Sequence, residues 1–86
     1  MDSRQLANIL NQMYFDAEDG KQVAMILLFG IRYSNEIRDC EDSPATIARK
    51  AEIPETYGTE IHRGCNLAPY VTVRDSVGFP SGRSVR

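Results

Sequence analysis

Few side chains in this 86-residue chain are suited to chemistry, and their spacing narrows the options. The single histidine, His62, stands three residues before Cys65, and the other cysteine, Cys40, is distant in sequence. Structural zinc sites draw paired ligands from two parts of a chain. One H-x-x-C pair with a remote thiol falls short of that, so no metal is expected. The acidic cluster Asp16, Glu18 and Asp19 lacks the alternating oxygen ligands of a calcium loop and reads as a solvated turn. No nucleophile elbow, phosphate loop or pair of catalytic carboxylates is present. The expectation is a protein that is not an enzyme and takes no cofactor.

With two cysteines and no secretory signal read at the amphipathic start MDSRQLANILNQM, a reducing cytoplasmic setting with both thiols free is expected. The longest apolar stretch, Val23 to Ile31, is too short to cross a bilayer. Net charge is −2, which lacks the strongly basic footprint usual for nucleic-acid binders. Charge is uneven, however. From Ala45 onward Arg49, Lys50, Arg63, Arg74, Arg83 and Arg86 outnumber Glu52, Glu55, Glu60 and Asp75, while the acidic excess lies in the first half. A mildly basic second half permits DNA binding without demonstrating it.

The elements that must position these residues are mainly helical. Asp2 or Ser3 can cap a first helix on which Leu6, Ile9, Leu10, Met13 and Ala17 form one stripe, with Phe15 on the opposite side. Glu18-Asp19-Gly20 ends it. A second helix is expected from about Lys21 to Arg38, apolar around nearly its whole circumference. A helix of that kind must be covered on all sides. A chain this short buries only about 60–65% of its unfolded surface. Either this is the central core helix, or one side packs against a second copy of the chain; the second is preferred, giving a homodimer.

After the polar connection Cys40-Glu41-Asp42, Ser43-Pro44 is a strong helix start. Ile47, Ala48 and Ala51 share one face, and Thr46, Arg49 and Lys50 face away. Pro54 stops this helix after Ile53. A further short helix is expected from about Glu55 to Arg63, with Tyr57 and Ile61 inward and Gly64 as a left-handed cap. Pro69 to Arg74 alternates and is rich in β-branched residues, so it reads as one strand, and 77–86 as a loosely ordered tail.

The stretch TIARKAEIPETYGTEI, Thr46 to Ile61, resembles the helix-turn-helix of bacterial and phage repressors. Ala48 and Ala51 stand where the family has small residues, Ile53 where an apolar residue closes the turn, and Ile61 where another locks the second helix to the core. Two positions depart from the pattern. Glu52 stands where the turn usually has Gly, which implies a wider turn, and Gly58 stands where a branched aliphatic is usual, with Tyr57 expected to fill the space. The resemblance implies a small prokaryotic regulator whose second helix enters the major groove of double-stranded DNA. On that helix Thr56, Thr59, Glu60 and Arg63 would face outward, with Glu55 and His62 at the margins. Arg63 would pair with guanine or phosphate, Thr56 and Thr59 with phosphates or thymine methyls, and Glu60 with the cytosine amine. Thr46, Arg49 and Lys50 belong to the same surface, the two cations as phosphate contacts that position rather than specify. Glu55 and Glu60 oppose a polyanion, so a protein-interaction module using this surface, an assembly subunit or an inhibitor, is the alternative. The expected architecture is a compact, mainly α bundle over 1–76, with the helix-turn-helix at about 43–64 and one short C-terminal strand.

Overall fold

The computed structural model describes residues 1–74. Five α-helices follow one another: α1 (Ser3–Asp16), α2 (Gln22–Arg32), α3 (Ser34–Asp39), α4 (Pro44–Lys50) and α5 (Gly58–Leu67), with a single 3-10 turn, Glu55–Tyr57, leading into α5. α1 starts in a full capping box. The Asp2 carboxylate accepts from the Gln5 amide at 2.9 Å, and the Gln5 side chain accepts from the Asp2 amide at 2.9 Å. Two donors that the first turn leaves unpaired are thereby satisfied. Leu6, Ala7, Leu10 and Met13 form its buried stripe, with Ile9 half-buried beside them.

The core is assembled where α2 crosses α5. Gly30 and Gly64 face one another there so closely that a Cβ on Gly64 would lie 2.8 Å from the Gly30 Cα and would overlap the Leu27 carbonyl oxygen. A Cβ on Gly30 would collide with the Ile61 carbonyl. With no side chains between the backbones, Ile26 and Phe29 from α2 and Ile61 and Cys65 from α5 close into one cluster with Leu6, Leu10 and Ile47. Gly64 therefore lies inside α5, which runs on to Leu67, and is not a left-handed cap. Its missing side chain serves packing rather than backbone conformation.

The expected second helix is two helices. Tyr33, at φ −111° and ψ 25°, departs from helical geometry and separates α2 from α3. The break needs no proline or glycine, because the buried Tyr33 ring stacks near Phe29 (centroids 5.5 Å apart) and the turned α3 brings Ile37 into the core. It also lets Arg38 donate to the Cys65 carbonyl at 3.0 Å, near the C-terminal end of α5, where a cation is favourable. Nor is α2 covered all round, since Val23 is 41% exposed. Phe15 is 60% exposed, as its position opposite the stripe predicted.

No strand occurs among the described residues. Pro69 and Tyr70 continue as a turn from α5, with the Tyr70 amide donating to the Leu67 carbonyl at 2.8 Å, and 71–74 follow without a pairing partner. The β-branched alternation at 71–73 reflects residue type, and a lone segment cannot form a ladder. The expected tail, 77–86, lies outside the described residues.

Replacing Gly64 with Ala tests the crossing. Helix propensity alone would favour Ala by about 0.5–1 kcal/mol, but the new methyl meets backbone, which cannot rotate away. Overpacking costs typically about 1–3 kcal/mol, and a rigid neighbour puts this site at the upper end. Urea denaturation of Gly64→Ala should therefore show a net loss of about 2 kcal/mol; a variant as stable as the native chain would contradict the close approach.

Candidate nucleic-acid interface

The bihelical unit is set by its two ends. Ser43 caps α4, its hydroxyl oxygen accepting from the Thr46 amide at 3.2 Å while its hydroxyl donates to the Thr46 hydroxyl at 3.1 Å. Thr46 is thus half-buried and occupied in the cap. At the other end, the Ile53 amide donates to the Ala48 carbonyl at 3.1 Å and the Glu52 amide to the Arg49 carbonyl at 3.0 Å. This pair of bonds is the Schellman arrangement, and it requires a left-handed residue between the helix and the apolar position that follows. Glu52 is that residue, with φ of 65°. The turn is tight rather than wide: Glu52 takes the conformation usually left to Gly, at a cost in backbone strain. Asn11 on α1 donates to the Ala51 carbonyl at 2.9 Å, binding the turn to the bundle.

Gly58 opens α5 against the start of α4. A Cβ there would come within 2.7 Å of the Ala45 amide nitrogen, so the space expected for Tyr57 is already filled by α4 backbone. Tyr57 instead turns toward α1, with its ring centroid 5.8 Å from that of Tyr14. The hydrogen bond between the two phenols, with some burial, raises the Tyr14 pKa above its ordinary value.

Held this way, α5 buries Gly58, Ile61, Gly64 and Cys65 and leaves Thr59, His62, Arg63, Asn66 and Leu67 exposed; Glu55 and Thr56 are exposed in the turn before it. Thr56, Thr59 and Arg63 reach the outward surface as the spacing implied. Glu60 does not share it fully: it lies on the flank, its side chain only 22% exposed, and pairs with Arg63 at 3.6 Å. Asn66 was missed, because the expected helix stopped at Arg63; Cys65 and Asn66 continue the same period without a break. His62 and Thr59 also line a shallow groove of about 360 Å³ between α5 and the start of α4, walled by Ser43, Pro44 and Glu55.

The cations are engaged. Arg49 bonds Glu55 at 3.0 Å across the turn. Lys50 donates to Asp42 at 2.6 Å and to the hydroxyl of the buried Ser3 at 2.9 Å, tying α4 to the start of α1. The Lys50 ammonium, with the Ser3 hydroxyl, holds the Asp42 carboxyl below its ordinary value of 3.8. Burial pushes the Cys65 thiol up, against a smaller opposing pull from Arg38. Cys40 and Cys65 are both free thiols. Among the described residues no three His, Cys, Asp or Glu side chains come together in a way that could hold a metal ion.

A capped helix, a tight left-handed turn and a second helix with an exposed polar face, all seated on a supporting bundle, define a helix-turn-helix domain. The chain belongs to the family described as HTH-like domain, whose model matches residues 2–74. No curated protein and no solved structure matches it. No helix among the described residues is long and apolar enough to cross a membrane.

The Lys50–Asp42 pair gives a pH signature. Because the folded-state pKa of Asp42 is depressed, its stabilising effect is present above the ordinary value of 3.8 and is lost as pH falls through the lower, folded-state value. Lys50→Met should lower the urea midpoint at neutral pH, and the gap to the native chain should narrow as the pH drops below 3.8. A gap that stayed constant over that range would show that the pair does not form.

Proposed function

We propose that this domain is a sequence-specific DNA-binding protein, a small homodimeric transcription regulator of a prokaryotic or phage cytoplasm. The observation that carries the reading is the face Thr56, Thr59, Arg63 and Asn66, which is exposed on and before a helix anchored to the core along its opposite side. Membership of the helix-turn-helix family supports it. In the major groove Arg63 pairs with guanine, Asn66 with adenine, and the two threonines with phosphate or a thymine methyl. Arg49, at the edge of this surface, contacts phosphate. Lys50 serves mainly to hold α4 in place, and Glu60 serves Arg63 rather than a base. Exposed apolar side chains, Phe15 and Val23, support self-association at the end of the bundle formed by α1 and α2.

One observation favours a second reading, a protein partner on the same face. Between Ser43 and Leu67 the bases Arg49, Lys50 and Arg63 are matched by the acids Glu52, Glu55 and Glu60. Such a balance provides little attraction to a polyanion.

Selection from a random duplex pool at low salt, followed by anisotropy titration of the winning site, decides between them. Arg63→Ala should cost about 1–3 kcal/mol and relax preference at one base position. Arg49→Ala should weaken all sequences by a similar factor. Sedimentation at micromolar concentration should give twice the chain mass. If no duplex binds even at low salt, the DNA reading fails and the protein-partner reading stands.

A further inference from the structure

The two arginines of the candidate interface do not point into open solvent as unopposed charges. Arg49 lies 3.0 Å from Glu55 and Arg63 lies 3.6 Å from Glu60, each pair formed within the helix-turn-helix itself. Both arginine side chains are nevertheless well exposed, at 63% and 67%. Lys50 differs. It is fixed to Asp42 and to Ser3, which is buried, and belongs to the frame of the bundle. Glu52 differs in the other direction, being exposed and making no ion pair among the described residues.

We propose that Glu55 and Glu60 are built-in competitors for the phosphate backbone, each occupying one arginine so that DNA of arbitrary sequence is held off. The inference rests on the DNA-binding reading above and adds a device for specificity to it. Exposed ion pairs are weak, so a phosphate can displace either carboxylate. The displaced carboxylate stays tethered beside the phosphate, however, and repels it through the solvent, within the reach of screened charge. Each arginine thus contributes little to binding that relies on phosphates alone. Nonspecific affinity is supplied almost wholly by such contacts and by the counterions they release. Binding that also gains hydrogen bonds to base edges offsets the loss. Glu60, whose arginine meets a base in the right sequence and only phosphate in the wrong one, thereby widens the gap between them, while Glu55 lowers phosphate-based affinity for both.

The test uses the full chain, a mixed-sequence duplex and the selected duplex, with anisotropy measured across a salt series. Glu55→Gln and Glu60→Gln are each expected to tighten mixed-sequence binding roughly two- to fivefold at low salt and to steepen the slope of log affinity against log salt by about 0.9. For Glu60→Gln, binding to the selected duplex, where Arg63 pairs with a base, should tighten less, so discrimination falls; for Glu55→Gln both duplexes should tighten by a similar factor, because Arg49 meets phosphate in each. Glu52→Gln removes the same charge without releasing an arginine and should change neither quantity appreciably. Arg49→Ala combined with Glu55→Gln should cancel the gain. Circular dichroism checks that every variant is folded. Equal effects at Glu52, Glu55 and Glu60 would overturn the proposal, because total charge alone would then explain them. Unchanged slopes in Glu55→Gln and Glu60→Gln, with the native chain binding its selected duplex, would overturn it while leaving the DNA reading intact. Absence of binding by every variant at low salt would remove both.

Discussion

The backbones of α2 and α5 touch at Gly30 and Gly64, and the core is built around that contact. Two helices whose side chains keep them apart lie about 8–10 Å between axes. Removing both Cβ atoms lets them come closer and brings Ile26, Phe29, Ile61 and Cys65 into one core. A small domain has few residues with which to build such a core, and its net stability is a narrow difference between large terms. Close backbone approach is one way to raise packing density without lengthening the chain. It also fixes α5 against α2 along one side, so its other side faces solvent.

A second set of contacts fixes α4, which is only seven residues long and could not persist alone. Its start is closed by Ser43 and by the approach of Gly58 to Ala45. Its end is closed by the Schellman bonds, and the Ala51 carbonyl beyond them is taken by Asn11. Lys50 then reaches across to Ser3 and Asp42. Backbone groups at the ends of a short helix would otherwise need water, and here side chains from α1 and the preceding loop help to supply the partners. The helix-turn-helix is therefore not a separable module; α1 is part of what holds its first helix.

Much of this was legible in the sequence, and the parts that were not share a cause. Capping signals depend on a few adjacent residues, so Asp2, one of two candidate caps, and Ser43 mark where α1 and α4 begin, whereas Pro54 does not end α4: the helix stops at Lys50, and the left-handed Glu52 turns the chain before the proline is reached. Leu6, Leu10 and Met13 of the α1 stripe and Ala48, Ala51 and Ile61 follow from helical period, Ile53 from the resemblance to the helix-turn-helix family, and all are buried as expected, with Ile9 and Ala17 half-buried. The failures arise where tertiary packing decides. Tyr33 interrupts a helix without any breaker residue, because burial of its ring and of Ile37 outweighs continuation of the helix. Gly64 looks the same in sequence whether it ends a helix by its φ or lets another backbone come close, and only its neighbour Gly30 distinguishes the two. Alternating β-branched residues after Pro69 have no second strand to pair with among the described residues. At the interface, helical period put Thr56, Thr59 and Arg63 outside, but the pairing of each arginine with a nearby glutamate depends on rotamers that spacing does not fix.

Shape and charge consequently carry different messages in this protein. The shape is that of a helix-turn-helix, with a strained Glu52 in the turn where a glycine would sit without cost. The charge is that of a surface whose acids and bases cancel within the motif. A field of one sign would attract any duplex at long range and without regard to sequence. A cancelled field leaves the work of recognition to short-range hydrogen bonds and to fit, which act only when the correct groups meet. Direct base contacts have that property and phosphate contacts do not. On the DNA-binding reading proposed above, a net charge of −2 leaves no excess of positive charge to supply affinity, so discrimination would come from the few exposed polar side chains at Thr56, Thr59, Arg63 and Asn66.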